Sequence, residues 1–477
     1  MPDTPSARVH AQLDHPVIDA DGHMIEFLPV LFDYLKDTGG SDMTQRLWGS
    51  FNKEKAHNWY ESSQEVRRHY GVMRPAFWGL PAENTLDRAT SILPRLMRER
   101  LPEMGIDYSI VYPTTGLSLP DLSDEDLRRA ACRAHNLMVA DMFRGCEDRL
   151  TPAAVIPCHT PEEAIEELDF AIGKLGLKVP MFGNLVRRPL APVAELDPSL
   201  APYSFWVDTL AIDSVYDYDP VWQRCMDLGV PVTSHGIAQG IGMHRSISNY
   251  MYNQTGHFAA AAHAFSKSVF FGGVTHRFPK LNFAFLECGV ACGAALLCDL
   301  KERWEKRNGV AVHQFDPARI DREQFDELLG RYGGEVFAGL DAASEILRNP
   351  DTGDTIDDFA ATGIETMDDL YDRLIPRYYW GCEADDRMNI TGFDTKLLPS
   401  GTKLNAIFSS DIGHWDVPEM REVLAEAYEL VEEELIEPED FRDFVFTNPV
   451  NLLTGMNPDF FSGTAVESEV RAQLADT

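Results

Sequence analysis

Short apolar runs alternate with longer amphipathic stretches along most of the chain. The short runs are rich in β-branched and aromatic residues, which is typical of buried strands, and the longer stretches have helical spacing. The pattern predicts eight strands: PVIDA (16–20), DYSIVYP (107–113), LTPAAVI (150–156), KVPMFG (178–183), GVPVTSH (229–235), LNFAFLE (281–287), RYYWGCE (377–383) and NAIFSSD (405–411). Strands that alternate with helices indicate βα units and a parallel sheet.

Two of the intervening helices have clear ends. DLSDEDLRRAACRAHNLMVADMFRG offers Asp121 or Ser123 as N-cap and stops at Gly145. TPEEAIEELDFAIGKLG opens on Thr160 and has acidic residues in its first turn. Together the elements predict an α/β fold, a (β/α)8 TIM barrel. A doubly wound sheet is the alternative, but no GxGxxG motif follows the first strand.

Three connections are too long for simple βα loops: 26–103 after the first strand, 184–226 after the fourth and 305–375 before the seventh. Substrates bind where barrel strands end, so the first two insertions are expected to form a lid and a specificity segment. The predicted organisation is an N-terminal arm (1–16), a barrel domain (17–456) whose insertion 26–103 is the lid, and a C-terminal tail (457–477).

Composition narrows the function. The 477 residues carry 42 basic and 76 acidic side chains, a net charge of −34 that is spread along the chain and repels phosphate backbones, so nucleic acid is not an expected partner. The most apolar stretch, FAFLECGVACGAALL, is too short for a membrane span and contains Glu287. The N-terminus has no apolar leader region, and the eight cysteines lack CxxC spacing, so a cytoplasmic protein with reduced thiols is expected.

Ionisable residues repeatedly mark the ends of the predicted strands. Asp21 and His23 follow the first strand, and the fifth, sixth, seventh and eighth strands end in His235, Glu287, Glu383 and Asp411. A single acid at a strand end usually accepts bonds from backbone amides. Several carboxylates in one barrel mouth resist ionisation unless a cation neutralises them, and the pattern therefore predicts a metal site.

The first of these motifs has suitable spacing for a metal. Residues i and i+2 of a strand point the same way, about 6.5–7 Å apart, so Asp21 and His23 can hold one ion. Asp19 shares their phase but lies deeper, and an orienting or structural role is expected for it.

Other histidines are less clear. His257 lies in the first turn of the helix after the fifth strand, where a ligand or substrate contact and a helix-terminal structural role are both open. His263 faces another side of that helix, and His276 precedes the sixth strand at the opposite end of the barrel. His414 and Asp416 lie on the loop that leaves the eighth strand. Their placement favours contact with a metal ligand or the substrate over a capped loop.

The motifs GIDYSIVYPT, EDRLTPAAVIP, GGVTHRFPKLNFAFLECG and IFSSDIGHWD follow one another in this order along the chain. In these motifs, over nearly its whole length, the chain resembles the amidohydrolase superfamily, in its aminocarboxymuconate-semialdehyde-decarboxylase-like branch. The resemblance implies a TIM barrel with a metal at the strand ends. It places Asp21, His23, His235 and Asp411 on metal-ligand positions.

The chain departs from that branch in two places. The usual first-strand pair is His-x-His or Glu-x-His, and here it is Asp21-x-His23. The sixth strand usually ends in His, and here it ends in Glu287. Oxygen-rich mixed donor sets suit iron or manganese better than zinc. The donors also outnumber the three or four that one ion with an open position uses, and a second ion would account for the surplus.

The carboxylate-rich pattern, with GCEADD and SSDIGHWDVPEM, resembles a subgroup of TIM-barrel non-haem diiron monooxygenases that includes the platensimycin-pathway hydroxylase. This resemblance implies iron, with two ions accounting for the donors, and O2-dependent hydroxylation of an apolar acyl or coenzyme-A-linked small molecule. A homodimer is compatible with it. The expected metal ligands are Asp21, His23, His235, His257, Glu287 and Asp411, and the expected catalytic residues are Asp411 and His414.

Two alternatives stay open. The first is a mononuclear zinc or manganese hydrolase or decarboxylase that acts on a carboxylate substrate, with Asp411 as the base. The second is a metal-stabilised barrel that only binds. Arg67-Arg68 and Arg187-Arg188 could each meet an anionic group of a ligand, although solvated surface pairs are the simpler interpretation.

Overall fold

The computed structural model describes residues 2–53, 58–76, 79–201, 203–345 and 356–475. Parts of the predicted first and third insertions (54–57, 77–78 and 346–355) and the ends of the predicted arm and tail (1, 476–477) lie outside the described residues. The described strands are β1 (Ile18–Met24), β2 (Tyr108–Pro113), β3 (Leu150–Ile156), β4 (Val179–Phe182), β5 (Val186–Pro189), β6 (Phe205–Asp208), β7 (Val232–Ser234), β8 (Phe283–Phe285), β9 (Tyr378–Glu383) and β10 (Asn405–Ser409).

Eight of these strands form one parallel sheet in the order β1-β2-β3-β4-β7-β8-β9-β10. The sheet curls into a nearly closed barrel. Two backbone hydrogen bonds join its first and last strands, because the Asp411 amide donates to the Asp21 carbonyl at 3.1 Å and the His23 amide donates to the Ile412 carbonyl at 2.9 Å. The predicted (β/α)8 barrel is confirmed, and all eight predicted strands take part in it.

Helices cover the outside of the barrel and fill the insertions. The described helices are α1 (Pro5–His10), α2 (Leu28–Gly39), α3 (Ser41–Lys53), α4 (Gln64–Tyr70), α5 (Thr85–Ile92), α6 (Pro94–Met104), α7 (Glu125–Met142), α8 (Pro161–Ala171), α9 (Ala191–Leu196), α10 (Asp219–Leu228), α11 (Tyr250–Gln254), α12 (His257–Phe271), α13 (Val274–Arg277), α14 (Val290–Arg307), α15 (Arg322–Tyr332), α16 (Met367–Leu374), α17 (Val423–Glu432), α18 (Pro438–Arg442), α19 (Asn448–Thr454) and α20 (Glu467–Ala475). Within the described residues, no helix is both long and apolar enough to cross a membrane.

Strand β1 differs from the prediction. It continues to Met24, so Asp21 and His23 lie within the strand instead of after it. Asp19 pairs with Ser109 but Gly22 pairs with Val111, so β1 contains a bulge between Asp19 and Gly22. A bulge changes the direction of the side chains that follow it, which the regular i, i+2 argument does not include.

The first insertion packs over the loop that leaves β7. The Trp59 indole donates to the Ile247 carbonyl at 2.8 Å, and the buried Asn253 side chain donates to the Arg74 carbonyl at 3.0 Å. Both contacts lie on the side of the barrel where the strands end. This part of the insertion therefore lies where a lid was predicted.

The second insertion contains an antiparallel hairpin of β5 and β6 that the sequence pattern did not predict. Arg188 fixes this hairpin on the barrel. Its guanidinium donates to Asp208 at 2.9 Å, to the His159 carbonyl at 2.6 Å and to the Tyr218 hydroxyl at 3.0 Å. Arg188 is therefore a structural residue in the described chain.

Both ends of the chain pack on the barrel. The Ser6 hydroxyl accepts hydrogen bonds from the Leu424 and Ala425 amides, at 3.0 and 3.3 Å, which holds α1 against α17. Near the other end, Phe460 and Phe461 are buried in the core. These packed residues fall within the predicted arm and tail.

Candidate metal centre

Asp21, His23 and His235 lie together at the carboxyl ends of β1 and β7. One ligand atom from each lies within 4.8 Å of the others, and the structure buries all three side chains. The His23 and His235 rings meet edge to face, with their centroids 5.3 Å apart. The sequence predicted these three residues as ligands, and the fold brings them together.

Backbone contacts fix the orientation of His23. Its Nδ1 lies 3.1 Å from the Pro113 carbonyl. Because a carbonyl can only accept a hydrogen bond, Nδ1 is the protonated nitrogen. Nε2 then presents its lone pair to Asp21 and Asp411, each 3.4 Å away. Burial, with nearby His235, holds the pKa of His23 well below its usual value. This neutral tautomer is the one that binds metal ions.

A second group contains Glu287, Glu383, Asp411 and Asp416, again with one oxygen from each within 4.8 Å of the others. Burial and neighbouring Glu287 raise the pKa of Glu383 to about 8. Burial and acidic neighbours also raise the pKa values of Glu287 and Asp411 well above the usual range. The charged groups that raise these pKa values are all acidic, so the four carboxylates need a cation if they are to ionise together.

A third group links the other two. It contains His23, Glu287, Asp411 and His414. His414 Nδ1 lies 2.6 Å from Asp411 Oδ1, and its ring stacks on His23 with centroids 3.8 Å apart. Glu287 Oε2 lies 3.1 Å from His235 Nε2, so the donors form one continuous cluster.

Glu287 and Asp411 both have left-handed backbone conformations, with φ of 51° and 52°. Side-chain-bearing residues rarely adopt this conformation, because it brings Cβ close to the following carbonyl. Both residues follow the ends of barrel strands by two positions, Glu287 after β8 and Asp411 after β10. Strain of this kind is maintained where the rest of the fold imposes it, and it is concentrated at functional sites.

Asp19 supports the centre from below. Its carboxylate accepts hydrogen bonds from the Ser109 hydroxyl at 2.6 Å, the Ser410 hydroxyl at 2.8 Å, and the Ser410 and Asp21 amides at 2.9 and 3.2 Å. Burial raises its pKa to about 6. A Cβ at Gly22 would lie 2.6 Å from this carboxylate, so glycine is required there. Asp19 thus connects β1 to β2 and β10.

The chemistry of the donor set fits a divalent metal ion. Several of its buried atoms make no hydrogen bond of good geometry in the part of the chain that the structure describes, and their close contacts are with other members of the set: Asp21 Oδ1, His23 Nε2, both ring nitrogens of His235, Glu287 Oε2, and both carboxylate oxygens of Asp411. Unpaired buried polar atoms are costly, and native proteins keep few of them. A mixed carboxylate and imidazole set that converges without partners is what a metal centre requires.

The structure does not bring His257 into any of the three donor groups found among the described residues. Its Nε2 lies 3.0 Å from the Gln239 amide nitrogen, and its ring lies 3.9 Å from that of Phe258, which in turn contacts His235. Gln239 also bonds Tyr250, whose pKa is raised by burial and by Asp416 and Glu287. His257 therefore lies next to the donor cluster, in contact with Gln239 and Phe258.

The remaining predicted candidates lie outside the cluster. His263 has Lys267 and Asp299 as its charged neighbours, and His276 packs against Gly363. The Arg67 guanidinium stacks on Trp59 within the first insertion, 3.7 Å from the ring centroid. Arg187 Nη1 lies 3.3 Å from Asp121 at the end of the turn after β2.

Asn184 and Thr114 were not among the predicted site residues, and each presents a buried side-chain oxygen without a partner among the described residues. Both follow barrel strands, β4 and β2, by one or two residues. Their position after a predicted strand was the available signal, but asparagine and threonine are common in loops and do not stand out there.

Comparisons with known proteins agree with the fold. The family model described as "Amidohydrolase" matches residues 98–335. No curated protein matched the chain. A solved amidohydrolase from Mycobacterium avium subsp. paratuberculosis K-10 has 17% identity and a TM-score of 0.50, covering 92% of this chain and 100% of its own.

Two further solved structures have lower scores. A 2,6-dihydroxybenzoate decarboxylase from Rhizobium has 13% identity and a TM-score of 0.48, with 92% of this chain and 99% of its own covered. A dihydroxybenzoic acid decarboxylase from Polaromonas sp. JS666, solved with bound manganese and the inhibitor 2-nitroresorcinol, has 13% identity and a TM-score of 0.45, with 92% and 97% covered. At these identities the structural likeness concerns the fold.

Proposed function

Because this chain belongs to the amidohydrolase superfamily, we propose that it is a metal-dependent hydrolase or decarboxylase acting on a small carboxylate-bearing molecule. One observation supports the proposal most strongly. Buried carboxylate and imidazole atoms without partners converge at the mouth of the barrel, and the charged neighbours that raise the carboxyl pKa values there are acidic. A metal ion is needed to balance them, and an anionic substrate can then bind in this otherwise acidic mouth.

Asp21, His23, His235 and Asp411 are the residues that would hold the ion, with Glu287 beside them. A divalent ion here supplies Lewis-acid polarisation of a carboxylate or activation of a water molecule. The Pro113 carbonyl keeps the proton of His23 on Nδ1, which leaves Nε2 free to bind. The contact of 2.6 Å between His414 Nδ1 and Asp411 Oδ1 allows these two side chains to hold and pass one proton beside the bound substrate.

The lid contributes by excluding water. Its contacts from Trp59 and Asn253 hold it over the loop that follows His235. Among the donors, Glu383 and Asp416 are only partly buried, whereas Asp21, His23 and His235 are fully buried. Substrate is therefore expected to enter past Glu383 and Asp416.

The experiment is an assay of protein loaded with manganese or zinc against a panel of hydroxylated aromatic and aliphatic carboxylates. Release of CO2 or hydrolysis products is followed, with the Asp411→Asn variant as control. The proposal expects turnover that depends on the metal and falls at least about a hundredfold in the variant. Metal-loaded protein without turnover on any member of the panel would contradict it.

A second candidate is the O2-dependent hydroxylase that the sequence suggested, with two irons. The specific observation in its favour is the group of Glu287, Glu383, Asp411 and Asp416, which adds donors beyond those that one ion uses. The comparisons reported above name amidohydrolases and decarboxylases, so the oxygenase has only the donor count in its favour. Two irons per chain and O2 consumption would favour it, and one ion per chain with O2-independent turnover would remove it.

A further inference from the structure

Asn184 is a buried asparagine that the proposed chemistry has not used. It follows β4 by two residues, and only 1% of its surface is exposed. Its Oδ1 accepts no hydrogen bond from the described residues. Leaving such an atom unpaired is unfavourable, so the fold maintains this position at the expense of stability.

The backbone places Asn184 beside His235. Phe182 of β4 pairs with Ser234 of β7, and the His235 amide donates to the Phe182 carbonyl at 2.9 Å. Asn184 is two residues further on, at the end of the barrel where the metal donors lie. A Cβ at Gly236 would come within 2.4 Å of Asn184 Cγ, so the carboxamide rests directly on the residue after His235.

The barrel mouth therefore has two different sides. The β8, β9 and β10 side carries the carboxylates Glu287, Glu383 and Asp411. The loops after β2 and β4 carry the uncharged groups Thr114 Oγ1 and Asn184 Oδ1, both buried and both without a partner in the described chain. The nearby Glu26 carboxylate accepts hydrogen bonds from the Thr115 and Gly116 amides and is therefore already paired. A substrate that reaches the metal donors from above would meet a neutral hydrogen-bonding group on this side.

We infer that Asn184 is a substrate-binding residue whose Oδ1 accepts a hydrogen bond from a hydroxyl next to the carboxylate of the substrate. The inference rests on the proposed function, because the carboxylate is taken to lie at the metal. Asn184 selects hydroxylated acids over unsubstituted ones, since the unsubstituted acid leaves Oδ1 unpaired. Gly236 keeps the Asn184 carboxamide in this position, because any side chain there would displace it.

The test compares benzoate with 2-hydroxybenzoate as probes. Manganese-loaded full-length protein is titrated with each by calorimetry, for the wild type and for Asn184→Ala. The wild type is expected to bind 2-hydroxybenzoate at least about tenfold more tightly than benzoate, and Asn184→Ala to bind both equally. Asn184→Leu, which keeps the volume, serves as the second variant if the alanine variant does not fold.

Asn282 provides a matched control at the opposite end of the barrel. It is equally buried, but its amide donates to the Leu452 carbonyl at 3.0 Å and its oxygen accepts from Arg377 at 3.2 Å. Asn282→Ala should lower the melting temperature and keep the preference between probes. Asn184→Ala should lose the preference with little loss of stability, because no hydrogen bond to Oδ1 from the described residues is lost.

Each outcome decides between the claims. Preference that survives in Asn184→Ala, or a wild type that binds both probes equally, would overturn the role of Asn184 alone. Protein that binds manganese but neither probe would overturn this inference together with the carboxylate substrate class. Protein that binds no manganese would overturn the proposed function itself, and this inference with it.

Discussion

At the scale of single residues, the centre combines groups that are unfavourable separately. Glu287 and Asp411 are buried acids in left-handed conformations, and burial raises the pKa values of both. Neither feature helps the fold by itself. Both become intelligible if the residues are held in position to bind a cation.

Sequence reasoning identified most of the cluster at this scale. Asp21, His23, His235, Glu287 and Asp411 were recognisable because a strong ionisable group ends a strongly apolar strand. The role of Asp19 was left between orienting and structural, because the bulge in β1 is set by pairing with another strand and leaves no local signal.

Replacement of Glu287 by glutamine should weaken metal binding. The change removes a negative donor from the cluster while it keeps the size of the side chain, so the affinity for manganese should fall at least about tenfold. Metal content after dialysis measures this. Glu302→Gln, an exposed acid paired with Lys306 on α14, is the control and should keep its metal. Full retention of metal by Glu287→Gln would show that Glu287 is not a donor.

Replacement of Glu287 by glycine should stabilise the metal-free protein while it weakens metal binding. Glycine relieves the left-handed strain, about 1 kcal/mol, and removes a buried acid. Glu434→Gly is the matched control, because Glu434 also has a positive φ, 57°, but lies outside the cluster and gains only the strain relief. Thermal unfolding of both variants measures this. A lower melting temperature for Glu287→Gly than for wild type would contradict the strain argument.

At the scale of elements, the eight barrel strands were predictable because buried parallel strands are short continuous apolar runs. The antiparallel β5–β6 hairpin was not predictable, because half-exposed residues such as Arg187 and Trp206 interrupt its apolar pattern. Its two strands are also joined by an ion pair between Arg188 and Asp208. The contacts between the first insertion and the loop after β7 could not be predicted from the sequence either, since Asn253 and Arg74, which form one of them, are 179 positions apart.

The lid is expected to depend on Asn253. Its side chain donates to the Arg74 and Ser246 carbonyls, both at 3.0 Å, so Asn253→Ala unpairs the lid from the loop after β7. Amide hydrogen exchange should then quicken across 236–256 and 59–76. Asn451→Ala, at an exposed position on α19, should leave exchange there unchanged. Unchanged protection in Asn253→Ala would mean that other contacts hold the lid.

At the scale of the whole molecule, the excess of acidic residues is spread along the chain, and Asp21, Glu287, Glu383, Asp411 and Asp416 bring part of it to the barrel mouth. The net charge of −34 carries little information about the fold, but it makes the binding of a cation at the barrel mouth more favourable. The overall topology followed from the order of the elements. The closure of the barrel by the hydrogen bond between Asp411 and Asp21 could not be predicted in this way, because it joins residues 390 positions apart in sequence.

The metal-free protein should lose stability as the pH rises. Burial raises the pKa of Asp21 to about 7 and that of Glu383 to about 8, above their values in the unfolded chain near 4. Buried histidines such as His23 and His235, whose pKa values burial lowers, oppose this effect below about pH 6.5. Above that pH the histidines are neutral in both states, whereas the raised carboxyl groups still hold protons in the folded state, so the free energy of unfolding falls between pH 7 and 8. Melting temperatures from pH 7 to pH 8 should decrease without metal. They should not decrease with saturating manganese, which keeps the carboxylates ionised. A rise without metal would contradict this account.

The most direct measurement is the number of divalent ions bound per chain, obtained by elemental analysis after chelator-stripped protein is titrated with manganese. The account predicts at least one tightly held ion in the wild type, and none in a variant that carries both Asp21→Asn and His235→Ala. A wild-type chain that holds no ion, or a double variant that holds it as tightly as the wild type, would contradict the metal centre.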